Sequence, residues 1–195
     1  MTCSLTSQQG GSTKTTLITS RFRSTLTLVA LTVLVTISGK ADTQIRPLKG
    51  VDVLSQFVGV WETHTKIRHE GPPLREFQTR GRAVCQQTLH GRYVEFRAES
   101  IPPGRAELQI MTYDTEAGVY RQWVFDSDGY RHQAEGRWDP TTATLTWQGT
   151  TEGSSFVIED RWVSPGRLEW TLLRRDAEGR RLQTIEGVLL RVKGD

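Results

Sequence analysis

The chain reads as an all-β protein, an antiparallel up-and-down barrel of about ten strands with a short N-terminal helix. Three observations predict this. After residue 41, turn-forming clusters recur about every dozen residues, and each gap between them is one strand long. Within the gaps apolar and polar residues alternate at period two, and no stretch keeps a helical period. The turns are of hairpin length, so each strand pairs with the one before it, and closing the meander hides its edges.

Residues 1–41 contain Lys14, Arg21, Arg23 and Lys40 and no acidic residue. An apolar run over 26–37 follows the arginines, and Gly39-Lys40-Ala41 ends the segment. That is the order of a secretory signal cut after Ala41, with small residues two apart at the cut. Twelve helical residues span about 18 Å, well short of the roughly 30 Å hydrocarbon core, so no stable membrane span is expected after cleavage. The expected location is therefore periplasmic or extracellular. The whole chain has 25 basic and 22 acidic residues, but the part after residue 41 has 21 and 22, a net charge of −1. The high overall pI thus belongs to the leader, and nucleic-acid binding loses its support. Cys85 is the one cysteine after Cys3 leaves, so no internal disulfide can form. The chain has no Asn, which excludes N-glycosylation and leaves its turns to Asp, Gly and Pro.

Residues 42–50 read as an extended lead-in and 51–195 as one barrel domain. Asp52 is placed to cap a short helix, because Leu54, Phe57 and Val58 then share a face; Gly59 ends it. The first strand, 61–68, turns Trp61, Thr63, Thr65 and Ile67 inward and Glu62, His64, Lys66 and Arg68 to solvent. Turns are predicted at Gly71-Pro72-Pro73, His90-Gly91, Pro102-Pro103-Gly104, 114–118, 126–129, Asp139-Pro140, 150–153, Ser164-Pro165-Gly166 and 176–179. The strand 120–126 is ambiguous, since Trp123 and Phe125 oppose Tyr120, Gln122 and Val124. Tyr130, His132, Ala134, Gly136 and Trp138 share the inward face of 130–138, and Leu145 and Trp147 that of 144–148. Phe156, Ile158, Asp160 and Trp162 share a face, as do Leu168, Trp170 and Leu172. The last strand, 182–192, is apolar on both faces near its end, which implies a cover.

Gly59-Val60-Trp61, after a short helix and at the head of the first strand, resembles the calycins, the lipocalin and fatty-acid-binding-protein barrels. In those barrels a Gly-x-Trp at this place plugs one end. The resemblance continues through Leu89-His90-Gly91-Arg92-Tyr93, Tyr113-Asp114 with Tyr120 and Trp123, Asp126-Ser127, and Glu135-Gly136 with Trp138-Asp139. Together these are similar to a bacterial family known as domain of unknown function 1579, over most of 54–191. The resemblance implies a lipocalin-like barrel with Trp61 as its plug, and implies no activity.

Of the six tryptophans, five fall on inward faces and Trp123 is undecided. Such a set either fills the barrel or lines a cavity that stacks an apolar or aromatic ligand. The expected ligand-lining residues are Thr63, Phe96, His132, Trp138, Trp147 and Trp170, with Thr63 and His132 as polar anchors. His132, beside Trp138, is the one histidine expected inside, while His64, His69 and His90 fall on the charged face or near turns. No zinc spacing or Cys-x-x-Cys occurs, no proximal histidine for haem aligns, and no cofactor is expected. Asp126-Ser127-Asp128-Gly129 is a hairpin turn rather than a calcium loop, because its Gly is fourth and not sixth. Asp160 and Glu186 fall on possible inward faces; each is expected to pair with an arginine. Cys85 is expected to be a packed thiol.

Three functions fit this reading. The first is an exported barrel that binds a small, partly apolar ligand. The second is an isomerase or hydrolase using His132 with Asp160 or Glu186. The third is a filled barrel that acts as an interaction module. N-terminal sequencing of the exported protein is expected to begin at Asp42; a start at Met1 in a membrane fraction would support an uncleaved anchor instead.

Overall fold

The period-two alternation becomes ten strands, each a hairpin partner of the next. The computed structural model describes residues 50–101 and 104–192; the leader-like segment and most of the lead-in fall outside the described residues. One helix, α1 (Val51–Ser55), precedes β1 (Gly59–His69), β2 (Arg75–Thr88), β3 (Tyr93–Ile101), β4 (Ala106–Asp114) and β5 (Val119–Asp126). β6 (Arg131–Asp139), β7 (Thr144–Thr151), β8 (Ser154–Ser164), β9 (Arg167–Asp176) and β10 (Arg181–Arg191) follow. All neighbours are antiparallel, and β10 returns to β1 to close the barrel, in register from Trp61–Arg191 to His69–Gln183. Closure leaves no exposed edge, which is how an all-β chain with no disulfide avoids edge-to-edge association.

Two details of the helix differ from the sequence reading. Its N-cap is Gly50, at φ 106°, and no side chain caps it. Asp52 lies inside the first turn, where its carboxylate complements the helix dipole instead. The helix is also one residue over a single turn, and buries Val51 and Leu54 completely. The ambiguity in β5 resolves with Tyr120, Gln122 and Val124 inward; Trp123 faces out and Phe125 is exposed.

Up-and-down connection puts alternate turns at opposite ends. The helix and the turns after β2, β4, β6 and β8 gather at one end. There Trp61, Leu54, Leu145, Leu168 and Val94 are fully or almost fully buried, with Phe57, Trp162, Met111 and Leu189 around them. Phe57 and Trp138 each meet the Trp162 ring edge-on, at 4.7 and 5.5 Å between centroids. Trp61 donates its indole N–H to the Phe57 carbonyl at 2.7 Å. The Arg191 guanidinium lies 4.1 Å over the Trp61 ring. It also donates to the carbonyls of Gln56 at 2.8 Å, Pro165 at 3.0 Å and Val58. One side chain thus ties the helix exit, the β8–β9 turn and β10 together. Gly59, at φ 143°, is what admits it, because a Cβ there would collide with the guanidinium. The cover expected over the last strand's end is therefore the helix exit and the β8–β9 turn.

Removing the indole takes out the largest side chain of this end and leaves Arg191 without its aromatic face. Trp61→Ala is expected to cost about 3–5 kcal/mol in urea unfolding. A loss under about 1 kcal/mol would show that the end is held by something else.

Candidate functional site

The opposite end carries no such packing. β1 turns Ile67 inward, and its direct partner on β2 is Phe77, which is 45% exposed although it faces the barrel axis. Thr63, Thr65, Trp170, Leu172 and Ile185 also face inward and are only partly buried. Inward side chains with accessible surface mean that this part of the interior is open. The barrel is therefore packed at the helix end and hollow toward the turns after β1, β3, β5, β7 and β9.

Glycines make room for the rings of the interior. Gly136 pairs directly with Trp147, Gly149 with Phe156 and Gly187 with Trp170. In each pair the aromatic ring lies across the glycine, where an added Cβ would collide with it. Lying flat against the wall, the ring occupies the space of a missing side chain rather than the middle of the barrel.

His132 enters at this end, one residue into β6. Its ring meets Phe156 at 4.6 Å and Tyr130 at 5.6 Å between centroids. Both ring nitrogens are buried and neither has a hydrogen-bond partner. Burial pushes its pKa down to about 4, so the ring is neutral near pH 7 and offers one donor and one acceptor. One diagonal step away, Gln122 donates to Gln109 at 2.8 Å, and Gln109 donates to Glu107 at 2.6 Å. Burial holds the Glu107 carboxyl above its usual range. The Gln122 side-chain oxygen ends this chain of bonds without a donor. Three unpaired polar atoms are thus buried side by side in the wall at this end, which also turns Thr63, Thr65, Gln109, Glu107, Arg174 and Gln183 inward. Pairing of β6 with β7 stops at Ala134–Gly149, and a groove of about 700 Å³ opens there on the outer face, lined by the outward Gln133, Glu135, Gln148, Ser155 and Val157 and reaching in to Gly149 and Phe156.

The expected site residues separate into two groups. His132, Thr63 and Trp170 face the chamber. Phe96 and Trp147 are in the packed core, Trp147 being wholly buried with its N–H bonded to Asp160 at 2.8 Å. Trp138 stands against Trp162 at the closed end, six residues or about 20 Å along β6 from His132, so the two are not neighbours. His69 also occupies an inward register position, at the rim, stacked on Phe77. Glu186 faces outward opposite Lys66 and Thr171, because the inward parity of β10 runs through Gly187 and Leu189. Asp160 is inward, but its partner is an indole and not an arginine. It lies four residues, about 13 Å, along β8 from the Phe156 that His132 touches, beyond the reach of a shared proton. Cys85 is a packed thiol whose pKa burial pushes up to about 12. Asp126 takes the backbone N–H groups of Asp128 and Tyr130, both at 2.9 Å, as a turn residue should. The Gln109–Gln122 wall was missed, since glutamines on alternating strands carry no motif.

The family model described as protein of unknown function (DUF1579) matches residues 46–163, and the chain belongs to that family. No curated protein matches it. Among solved structures it is similar to the S-type phycobiliprotein lyase CPES from Guillardia theta, at 8% identity and a TM-score of 0.54, over 74% of this chain and 93% of that one. It is also similar to Rv2717c from M. tuberculosis, at 13% identity and a TM-score of 0.55, over 73% and 97%. At these identities the likeness is one of fold.

His132 and Asp160 pull stability in opposite directions. His132 titrates lower folded than unfolded, so what it contributes is present above about pH 6.5 and lost as pH falls toward 4. Burial raises the Asp160 pKa from 3.8 to about 7, so its contribution is present below about pH 4 and lost as pH rises through 7. His132→Phe removes two unpaired nitrogens and is expected to stabilise the protein by about 1–3 kcal/mol, with the gain growing between pH 7 and 5. Asp160→Asn is expected to show the reverse trend, its gain largest at pH 7. Urea titrations at pH 5, 6 and 7 with parallel curves for wild type and both variants would contradict these assignments.

Proposed function

We propose that this barrel binds a small, partly apolar molecule through its open end, with His132 and Gln122 as the polar anchors. The observation that carries the reading is the accessible surface that the inward side chains of Phe77, Ile67, Trp170, Leu172 and Ile185 keep at the open end, with the unpaired atoms of His132 and Gln122 buried just behind that surface. A buried polar atom without a partner costs about 1–3 kcal/mol, and a fold keeps such atoms where a ligand or water completes them. Trp170, Leu172, Ile67, Phe77 and Ile185 supply the apolar surface; their inward, partly accessible positions support the same reading. We propose further that the protein acts outside the cytoplasm, on the strength of the signal-like order of 1–41. The acid–base enzyme reading finds less support, since Glu186 faces solvent and Asp160 is far from His132.

An apolar fluorescent probe such as N-phenyl-1-naphthylamine is expected to saturate at one molecule per barrel. Micromolar affinity corresponds to about −8 kcal/mol. Tryptophan emission is expected to shift as the probe binds, and Trp170→Phe to lose most of that shift while keeping the binding. If a panel of fatty acids, isoprenoids and aromatic probes leaves the emission unchanged, the interior takes no ligand and the interaction-module reading takes first place.

A further inference from the structure

Asp160 sits near the middle of β8, deep in the barrel, with its neighbours Glu159 and Arg161 pointing outward. It is 8% exposed. Its one side-chain partner is the Trp147 N–H, at 2.8 Å. Among the described residues no arginine, lysine or histidine bonds it, although the chain is rich in arginine. The nearby arginines are committed elsewhere: Arg161 and Arg167 both pair with Glu169 on the outer surface, and the inward Arg174, four residues further along β9, donates to the Ser154 hydroxyl at 2.9 Å. Trp170 stands directly opposite Asp160 across the β8–β9 ladder, its ring laid across Gly187. A desolvated carboxyl with no counter-charge, between one indole that bonds it and another on the chamber wall, is half of an ion pair.

We infer that Asp160 is the counter-ion for an ammonium group at the bottom of the chamber, so that the ligand is an amphipathic amine. This deepens the ligand-binding reading and rests on it. The ammonium would pair with the carboxylate while the Trp147 N–H keeps its bond, and the Trp170 ring attracts a cation through its negative face. The apolar body would run along Leu172, Ile67 and Ile185 toward Phe77 at the mouth. No other charge competes at that depth. β7 presents Leu145 and Trp147, β9 presents Trp170, and β10 and β1 present Gly187 and Thr65 beyond it. Tyr120 and Cys85, the titratable groups of the packed interior, are both pushed up to about 12 and stay neutral. Glu107, His132 and Arg174 lie nearer the mouth: the first two are one residue into their strands, and Arg174, four residues along β9 from Trp170, is held by the Ser154 hydroxyl at 2.9 Å.

The test compares decylammonium, 1-decanol and decanoate as competitors of N-phenyl-1-naphthylamine. At pH 8 wild type is expected to bind decylammonium at least tenfold more tightly than 1-decanol, with decanoate weakest. Burial holds the Asp160 carboxyl near pKa 7, so at pH 6 about a tenth of it is ionised and decylammonium affinity falls about tenfold, with 1-decanol unchanged. Asp160→Asn, which keeps an acceptor for Trp147, is expected to lose the amine preference and its pH dependence while binding 1-decanol as before. Equal affinity for all three in wild type, or a preference that survives in Asp160→Asn, would overturn the inference and leave the chamber intact. If none of the three competes and the fluorescent probe itself does not bind, the chamber reading fails and this one with it.

Discussion

Everything at the open end depends on how the other end is closed. Arg191 stacks on Trp61, reaches three backbone carbonyls, and does so through space that Gly59 leaves free. A ten-stranded barrel is too wide for side chains alone to fill throughout. The protein resolves this by concentrating its packing at the clamped end, where Trp61, Leu54, Leu145 and Leu168 lose essentially all contact with solvent. Once that end carries the stability, the remaining interior can stay open. The clamp also fixes β1 against β10 at Trp61–Arg191, and the rest of the closing register follows from there.

The chamber is shaped by subtraction. Three inward glycines each accept an aromatic ring from the neighbouring strand, so Trp147 and Phe156 within the packed core and Trp170 at its edge lie flat along the wall. The polar atoms left in that wall work against folding. His132 and Gln122 present unsatisfied nitrogen and oxygen atoms, and Asp160 is buried without a cation. Each raises the free energy of the fold, and each is a place where a complementary group would lower it. Two depths are distinguished: a neutral hydrogen-bonding wall near the mouth and a carboxyl further in.

Much of the fold was legible because alternation and turn chemistry are local. Trp61, Thr63, Thr65 and Ile67 sit on the face that period two assigned them, and Asp126 is the turn residue its sequence suggested. β5 was unreadable since Tyr120-Gln122-Val124 and Trp123-Phe125 are both apolar enough to face inward; cross-strand pairing with Met111 and Ala134 decides it. The site was half legible. Face assignment put His132 and Trp170 inside, but depth along the axis depends on register, which a sequence does not display. That is why Trp138 was placed beside His132 and lies at the far end instead. Arg191 was overlooked although it shares the inward parity of Gly187 and Leu189, because a charge at that position looks like a strand end.

The central claim is that His132 is a neutral, unpaired group facing a chamber that takes a ligand. Nitrogen-15 spectra of the histidine side chains, recorded from pH 4 to 8 with and without N-phenyl-1-naphthylamine, test it most directly. The account predicts that one imidazole stays neutral down to about pH 4 and that its ring signals move when the probe binds, while the Trp61 indole N–H stays where it was. A His132 ring that titrates near the ordinary value of about 6.5, with signals indifferent to the probe, would contradict it.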